Sequence, residues 1–372
     1  MNLQNLLQEW TQSRIHEISA TATEQKVLNI LRKEILTIDD FIILLSPAAL
    51  PHLESIAERA KELTRRHFGN SILIFTPIYI SDYCENACTY CAFSAKHHMK
   101  RHHLSVSEIE FEAKLIASSG IRHILMLTGE APKRADISYL QSAVAVLKKY
   151  FSAPSLEIYA LDSDGYKKLA ASGADALTIY QETYNRDLYP LYHPLGPKSD
   201  YDFRLEAPER ALSSDFRAVT IGPLLGLADC ISDAVSTAVH LDYLEYKFPS
   251  AELSVSLPRI RPICNEISVK YPVSDRIFVQ MILAFRLLKP YIGITISTRE
   301  SRSMRNALLR LGATKMSAGV STAVGGHSSN DASGQFEIDD SRSVDEMKAD
   351  LLALGFQPVM HDWNHRLSTE LQ

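Results

Sequence analysis

Three cysteines fall within eight residues in Tyr83-Cys84-Glu85-Asn86-Ala87-Cys88-Thr89-Tyr90-Cys91, a C-x3-C-x2-C pattern. Thiolates are the ligands of iron–sulfur clusters, and a loop of this length can place three of them on three corners of a four-iron cube. Three protein ligands leave one iron open to a small molecule, which a fully ligated electron carrier does not offer. The same side chains would also suit a zinc site, which needs a fourth ligand and prefers paired cysteine or histidine spacing, or be three unrelated thiols. His97, His98, His102 and His103 are close enough to compete as ligands. The stretch they share, KHHMKRHH, reads better as a solvated basic loop.

A cluster loop needs a scaffold, and the sequence around it has one texture from Ser71 onward: short apolar runs alternating with amphipathic stretches. Strands are expected over 72–77, 123–127, 156–161, 176–180, 218–223, 252–257, 293–297 and 315–318. Helices are expected between them, over 106–119, 139–149, 164–171, 232–246, 276–288 and 303–311, with a last one over 344–354. Ser105 and Glu108 have capping-box spacing, and Gly120, Gly173 and Gly312 stand where helices should stop. Eight strands with intervening helices argue for an α/β fold of the (β/α)8 TIM-barrel type rather than a doubly wound sheet. Polar groups end most of the strands: Thr128-Gly129-Glu130, Asp162, Gln181-Glu182, Arg259 with Arg261, Thr298-Arg299-Glu300 and Ser317. In a barrel those ends form one rim, where sites are built.

The rest of the chain frames this unit. Residues 1–68 read as an N-terminal helical extension that covers one end of the barrel, 69–319 as the barrel, and 320–372 as a loop and helical segment that closes it. Residues 320–341 are a long polar loop rich in glycine and serine, a lid or a simple excursion. Of 372 residues 46% are hydrophobic, enough for a substantial core, and the net charge of -5 gives no reason to expect nucleic acid or an anionic membrane as partner. Five cysteines, three of them clustered, suit metal ligation in a reducing compartment better than a disulfide framework. The N-terminus lacks the pattern of a signal peptide, and no apolar run approaches the roughly 20 residues of a membrane span. A soluble, cytoplasmic protein is expected, with Cys230 and Cys264 as incidental thiols.

The cysteine pattern directly after the first strand, with aromatic Tyr90 before the last cysteine, resembles the radical S-adenosylmethionine (AdoMet) superfamily. That resemblance implies a [4Fe–4S] cluster on Cys84, Cys88 and Cys91 whose open iron chelates AdoMet. One-electron reduction then yields methionine and a 5′-deoxyadenosyl radical, with a flavodoxin or ferredoxin-type protein as reductant. Thr128, Gly129 and Glu130 resemble the family's segment that binds the AdoMet amino group, where a carboxylate suits an ammonium taken from water. Tyr90 matches the position near the adenine, and Glu182 and Arg204 resemble residues serving the ribose or carboxylate.

Longer stretches, among them FTPIYISDYCENACTYCAFS, IYQETYNRDLY, FRLEAPERA, ISTRES and MSAGVSTAVGG, resemble the 2-iminoacetate synthases. These are the tyrosine lyases of thiamine thiazole synthesis. The resemblance implies L-tyrosine as substrate and cleavage at Cα–Cβ to 2-iminoacetate and p-cresol. It also implies hand-off of the product to thiazole synthase as protein partner. It makes Arg299 the holder of the substrate carboxylate, and places Tyr79 and Ser317 near the amino-acid end of the substrate. No cysteine follows Cys264, so the second cluster of the related hydrogenase maturase is not expected. The related tryptophan lyase is the nearest alternative, and a non-catalytic iron–sulfur or zinc protein the alternative of a different class. Departures from the family pattern stand at Ala92, Ala160, Cys230 and His327.

Overall fold

The computed structural model describes residues 2–261, 269–329 and 334–361. Cys264, part of the 320–341 loop and the last eleven residues lie outside them. The apolar runs form parallel strands β1 (Ser71–Ser81), β2 (Ile124–Thr128), β3 (Ser155–Glu157), β4 (Ala176–Glu182), β5 (Ala218–Pro223), β6 (Glu252–Ser256), β7 (Gly293–Ile296) and β8 (Lys315–Ser317). β1 pairs with β2 from Thr76↔Ile124 and with β8 from Leu73↔Lys315, so the sheet closes into an eight-stranded barrel. Helices follow the strands as the periodicity predicts, including Val106–Ser118 with its Ser105–Glu108 capping box, Cys230–Lys247 and Asp275–Leu288. The core runs through both layers: Ile74, Ile78, Met126, Leu177, Val255 and Ile294 are buried under helix residues such as Val144, Leu244 and Met281.

Some boundaries differ from the sequence expectation for local reasons. β3 stops at Glu157, although the apolar run continues to Leu161. Ile158, Tyr159 and Leu161 are buried in a connection that delivers Asp162 as the N-cap of the helix Ser163–Ala171, accepting from Gly165 N at 2.7 Å. Asp162 is therefore a helix cap and not a rim group of the site. β4 runs two residues further than the pattern suggests and ends on Glu182, which has a positive φ of 69° at a bulge against β5. A ninth strand, β9 (Gln357–Val359), pairs with the first residues of β1, which start below β2 and would otherwise leave one edge bare. Its three residues, one of them proline, carry no strand pattern.

The N-terminal helices pack on the flank of the barrel rather than across an end. Helix Ile38–Leu45 is buried along nearly its whole length. Phe41 meets Phe285 edge-on at 4.9 Å, and Gln280 Nε2 donates to the carbonyls of Leu44 and Ser46 at 2.8 and 3.0 Å. Helix Leu53–Phe68 then leads through Gly69, at φ 62°, into β1. No single helix among the described residues is long and apolar enough to cross a membrane.

The chain after β8 folds back over the barrel, and a buried charge network fixes it there. Asp340 accepts from Arg342 Nε at 2.9 Å and from Arg305, whose guanidinium also reaches the Ser317 carbonyl at the end of β8. Burial alone would raise the Asp340 pKa, but the two guanidiniums outweigh it and hold the carboxyl down at about 2. A depressed folded pKa means stability that is complete above the unfolded value of about 3.9 and is lost as pH falls toward 2. Asp340→Asn removes that contribution and leaves the buried Arg305 guanidinium without its carboxylate, while Arg342 keeps Asp350, at a cost of roughly 3–5 kcal/mol. Urea unfolding should show that loss at pH 7 and a much smaller one near pH 2.

Candidate active site

The cysteine loop leaves β1 and is stitched to its surroundings by backbone hydrogen bonds. Gly129 N donates to Ser81 O at 2.9 Å and Glu85 N to Glu130 O at 2.8 Å, tying both sides of the loop to the end of β2. Ala87 N and Thr89 N donate to the carbonyls of Leu195 and Tyr192, both at 3.1 Å. Arg101 turns back and donates to the carbonyls of Asp82, Phe93 and Ser94 at 2.7–2.8 Å. The nearby imidazoles serve the same loop: His97 meets Ala92 O, His102 meets Asp82 and His103 meets Ser81 Oγ. The expected basic loop is thus in part a brace, with Lys96, His98 and Lys100 left exposed.

Cys84, Cys88 and Cys91 line one cavity with Tyr79, Tyr90, Thr128, Gly129, Glu130, Glu182, Arg204, Arg299 and Ser317, so the residues expected for cluster, AdoMet and substrate meet in one place. Burial pushes the Cys88 thiol up to about 12 and raises that of Cys91, which a bound metal would offset by favouring the thiolates. Among the described residues no three His, Cys, Asp or Glu side chains converge as ligands of one metal ion. Three thiols from one short loop line this cavity, and no fourth cysteine or histidine among the described residues lines it with them, a donor set that suits three corners of a cluster. The residues present therefore fit a [4Fe–4S] cluster with one open iron.

Beside the thiols lies a set of preorganised polar groups. Glu130 is buried and accepts from Asn86 Nδ2 at 2.6 Å, while Asn86 Oδ1 accepts from Lys198 N at 2.9 Å. Glu182 receives Lys198 Nζ at 2.5 Å and lies 3.7 Å from Arg204. Burial would raise its pKa, but those two cations hold it below the usual carboxylate range. Arg204 is buried, and its Nε donates to Tyr180 O at 2.7 Å. Tyr90 bonds to His193 Nε2 at 2.8 Å, and His193 Nδ1 meets Tyr189 O at 2.8 Å. Burial drives His193 down to about 3, so it is neutral, donates from Nδ1 to the carbonyl and accepts the Tyr90 hydroxyl at Nε2.

Arg299 occupies the far side of the cavity. Its guanidinium stacks on Phe336 at 3.5 Å from the ring centroid and makes no ion pair among the described residues. Its neighbour in sequence, Glu300, is taken by Arg259 Nε at 2.9 Å. Arg259 also reaches Asp275 at 2.7 Å, and Arg261 reaches Asp339 at 3.1 Å, so these two arginines are structural. Gln181 points away from the cavity toward Tyr201 O. Tyr79 donates to Gln335 Oε1 at 2.9 Å, and Gln335 Nε2 lies 3.7 Å from Cys91 Sγ. Residues 334–336 of the long loop thereby cover the site. His327 bonds to Pro77 O at 3.0 Å and to Glu112, outside the cavity.

Five contributors were not visible in sequence: Asn86, Glu157, Lys198, Gln335 and Phe336 all line the cavity. Asn86 lies inside the cysteine motif and could have been found as a polar residue in a ligand loop. Glu157 could have been found from the inward alternation of β3 if that strand had been ended correctly. The other three act across long sequence separations and left no local signal.

The barrel with a three-cysteine loop at its mouth defines a radical AdoMet protein. In agreement, residues 78–238 match the Radical SAM superfamily and residues 256–357 the Biotin and Thiamin Synthesis associated domain. The chain is 36% identical to the 2-iminoacetate synthase of Escherichia coli (strain K12), over 98% of this chain and 97% of that one. It is 35% identical to that of Salmonella typhimurium over the same shares. The X-ray structure of the FeFe-hydrogenase maturase HydG from Carboxydothermus hydrogenoformans superposes with a TM-score of 0.89 at 30% identity, over 97% of this chain and 85% of that one. Methylornithine synthase (PylB) shares the fold, at 22% identity and a TM-score of 0.73. The chain belongs to the 2-iminoacetate synthase family.

Proposed function

We propose that this chain cleaves the Cα–Cβ bond of L-tyrosine to 2-iminoacetate and p-cresol, supplying thiamine thiazole synthesis. One observation carries the reading: the match to a 2-iminoacetate synthase, at 36% identity, spans 98% of the chain. Cys84, Cys88 and Cys91 would hold the [4Fe–4S] cluster, and Thr128, Gly129 and Glu130 the amino group of AdoMet. When bound, the two supply a hydrogen-abstracting radical by one-electron cleavage of AdoMet. Tyr90, fixed by His193, would pack at the adenine, and Glu182 and Arg204 would serve the ribose or carboxylate.

Arg299 then offers the tyrosine carboxylate a bidentate fork that nothing else occupies. Tyr79 and Ser317 flank the amino-acid end, and Gln335 with Phe336 close the mouth against water, which a reactive radical requires. Electrons come from a flavodoxin or ferredoxin-type donor in the cytoplasm. The product passes to thiazole synthase, since a free imine hydrolyses.

The test is anaerobic: reconstituted protein, reductant and AdoMet, with tyrosine and tryptophan side by side. Release of p-cresol and 5′-deoxyadenosine from tyrosine is expected. Indole-derived products with tyrosine inert would replace this reading by the tryptophan one, and a fully loaded cluster that cleaves no AdoMet would overturn both.

A further inference from the structure

Six charged side chains line the cavity, three acidic and three basic: Glu130, Glu157, Glu182, Lys198, Arg204 and Arg299. Four of them are spoken for. Glu130 accepts from Asn86, Glu182 takes Lys198 and Arg204, and Arg204 also donates to Tyr180 O. Glu157 and Arg299 remain. Neither side chain makes a hydrogen bond or close ion pair among the described residues; each feels the other's charge across the cavity without contact. Glu157 ends β3 in register with Leu127, which is itself in register with Tyr79 of β1, and this places it on the inner wall. A desolvated charge without a partner is costly, and two of opposite sign in one cavity invite a ligand that supplies both counter-charges. An α-amino acid zwitterion does so from a single carbon.

We propose that Glu157 receives the α-ammonium of the substrate and takes its proton, while Arg299 holds the carboxylate. This rests on the reading of the substrate as an amino acid and adds to it the group that prepares its nitrogen. The step is a proton transfer alone: one N–H bond of the ammonium breaks, a carboxyl O–H forms, and the lone pair stays on a neutral amine. A neutral amine is the form from which a hydrogen atom can leave nitrogen without first shedding a proton. Burial, and next the charge of Glu182, raise the Glu157 carboxyl to about 7, so near neutrality it is poised to accept. The groups facing it are Arg299 from β7, Glu182 and Tyr180 from β4, Tyr79 from β1, and Lys198 and Arg204 from the segment after β4.

The experiment uses cluster-loaded holoenzyme with AdoMet under anaerobic conditions and measures binding of three probes by calorimetry. L-tyrosine carries both amine and phenol, L-phenylalanine lacks the phenol, and 3-(4-hydroxyphenyl)propionate lacks the amine. Glu157→Gln should weaken tyrosine and phenylalanine about tenfold or more and leave the propionate within twofold. The kcat/KM of the wild type should fall below about pH 7, an acid limb that Glu157→Gln loses and Glu157→Asp keeps. Loss of affinity that follows the phenol instead, or no change in any probe, would overturn the proposal. Failure of the wild type to bind tyrosine would be a different result, overturning the tyrosine reading and this one with it.

Discussion

Gly129→Ala is expected to lose its iron–sulfur absorbance and its AdoMet cleavage together while the barrel stays folded. A Cβ at this position would stand 2.3 Å from the Tyr83 carbonyl oxygen and 3.2 Å from Cys84 Cβ. The obstruction is backbone, not the end of a flexible side chain, so the loop itself must shift. It cannot swing away freely, because Gly129 N is bonded to Ser81 O and Glu130 O accepts from Glu85 N on either side. The requirement is one of space, since Gly129 does not adopt a positive φ. Overpacking of this kind costs about 1–3 kcal/mol in stability, which a barrel of this size absorbs. A ligand loop displaced by about 1 Å loses far more in function, on the order of a hundredfold. Iron and sulfide content, the visible absorbance of the cluster and 5′-deoxyadenosine release should all fall, with the far-ultraviolet circular dichroism unchanged. A fully loaded cluster with normal turnover would show that the loop tolerates the methyl group.

Arg299→Ala should raise KM for tyrosine by a hundredfold or more and leave reductive cleavage of AdoMet in the absence of substrate nearly intact. No carboxylate among the described residues lies within ion-pair distance of the guanidinium: Glu300 beside it in sequence belongs to Arg259, and Glu182 to Lys198. Removing one partner of a desolvated charge pair costs about 2–5 kcal/mol, the upper part of which exceeds a thousandfold. Because Arg299 is unpaired in the free protein, its loss should not lower thermal stability, unlike the loss of Asp340. Arg299→Lys keeps the charge but loses the fork and the stacking on Phe336, and should recover only part of the affinity. An unchanged KM in both variants would remove Arg299 from the substrate site.

Both expectations depend on features of different visibility. The cysteines, the Thr128-Gly129-Glu130 turn and the eight-fold strand–helix alternation are written in neighbouring residues, where spacing and periodicity report directly on local structure. In sequence Gly129 shows only a likeness to a binding segment. That it must be glycine because Tyr83 lies against it emerged only once β1 had paired with β2. Arg299 was a candidate beside Glu300, and only the fold shows that Arg259 takes the carboxylate. Gln181, Arg259 and Arg261 look in sequence like members of the same rim and do not line the cavity: Gln181 faces the other side of β4 from its neighbour Glu182, and the two arginines, past the end of β6, are held by Glu300, Asp275 and Asp339.

The three cysteines and the apolar runs determined by themselves the class of chemistry and the barrel that carries it, because ligand spacing and strand or helix period are properties of adjacent residues. The tertiary structure alone decided which charges remain available. Tyr90 meets His193 across 103 residues and Tyr79 meets Gln335 across 256, while Glu182 is used up by Lys198 and Glu157 is left over. Free charge in a closed cavity is what remains after every pairing has been made, and those pairings form between elements that only the closure of the barrel brings together.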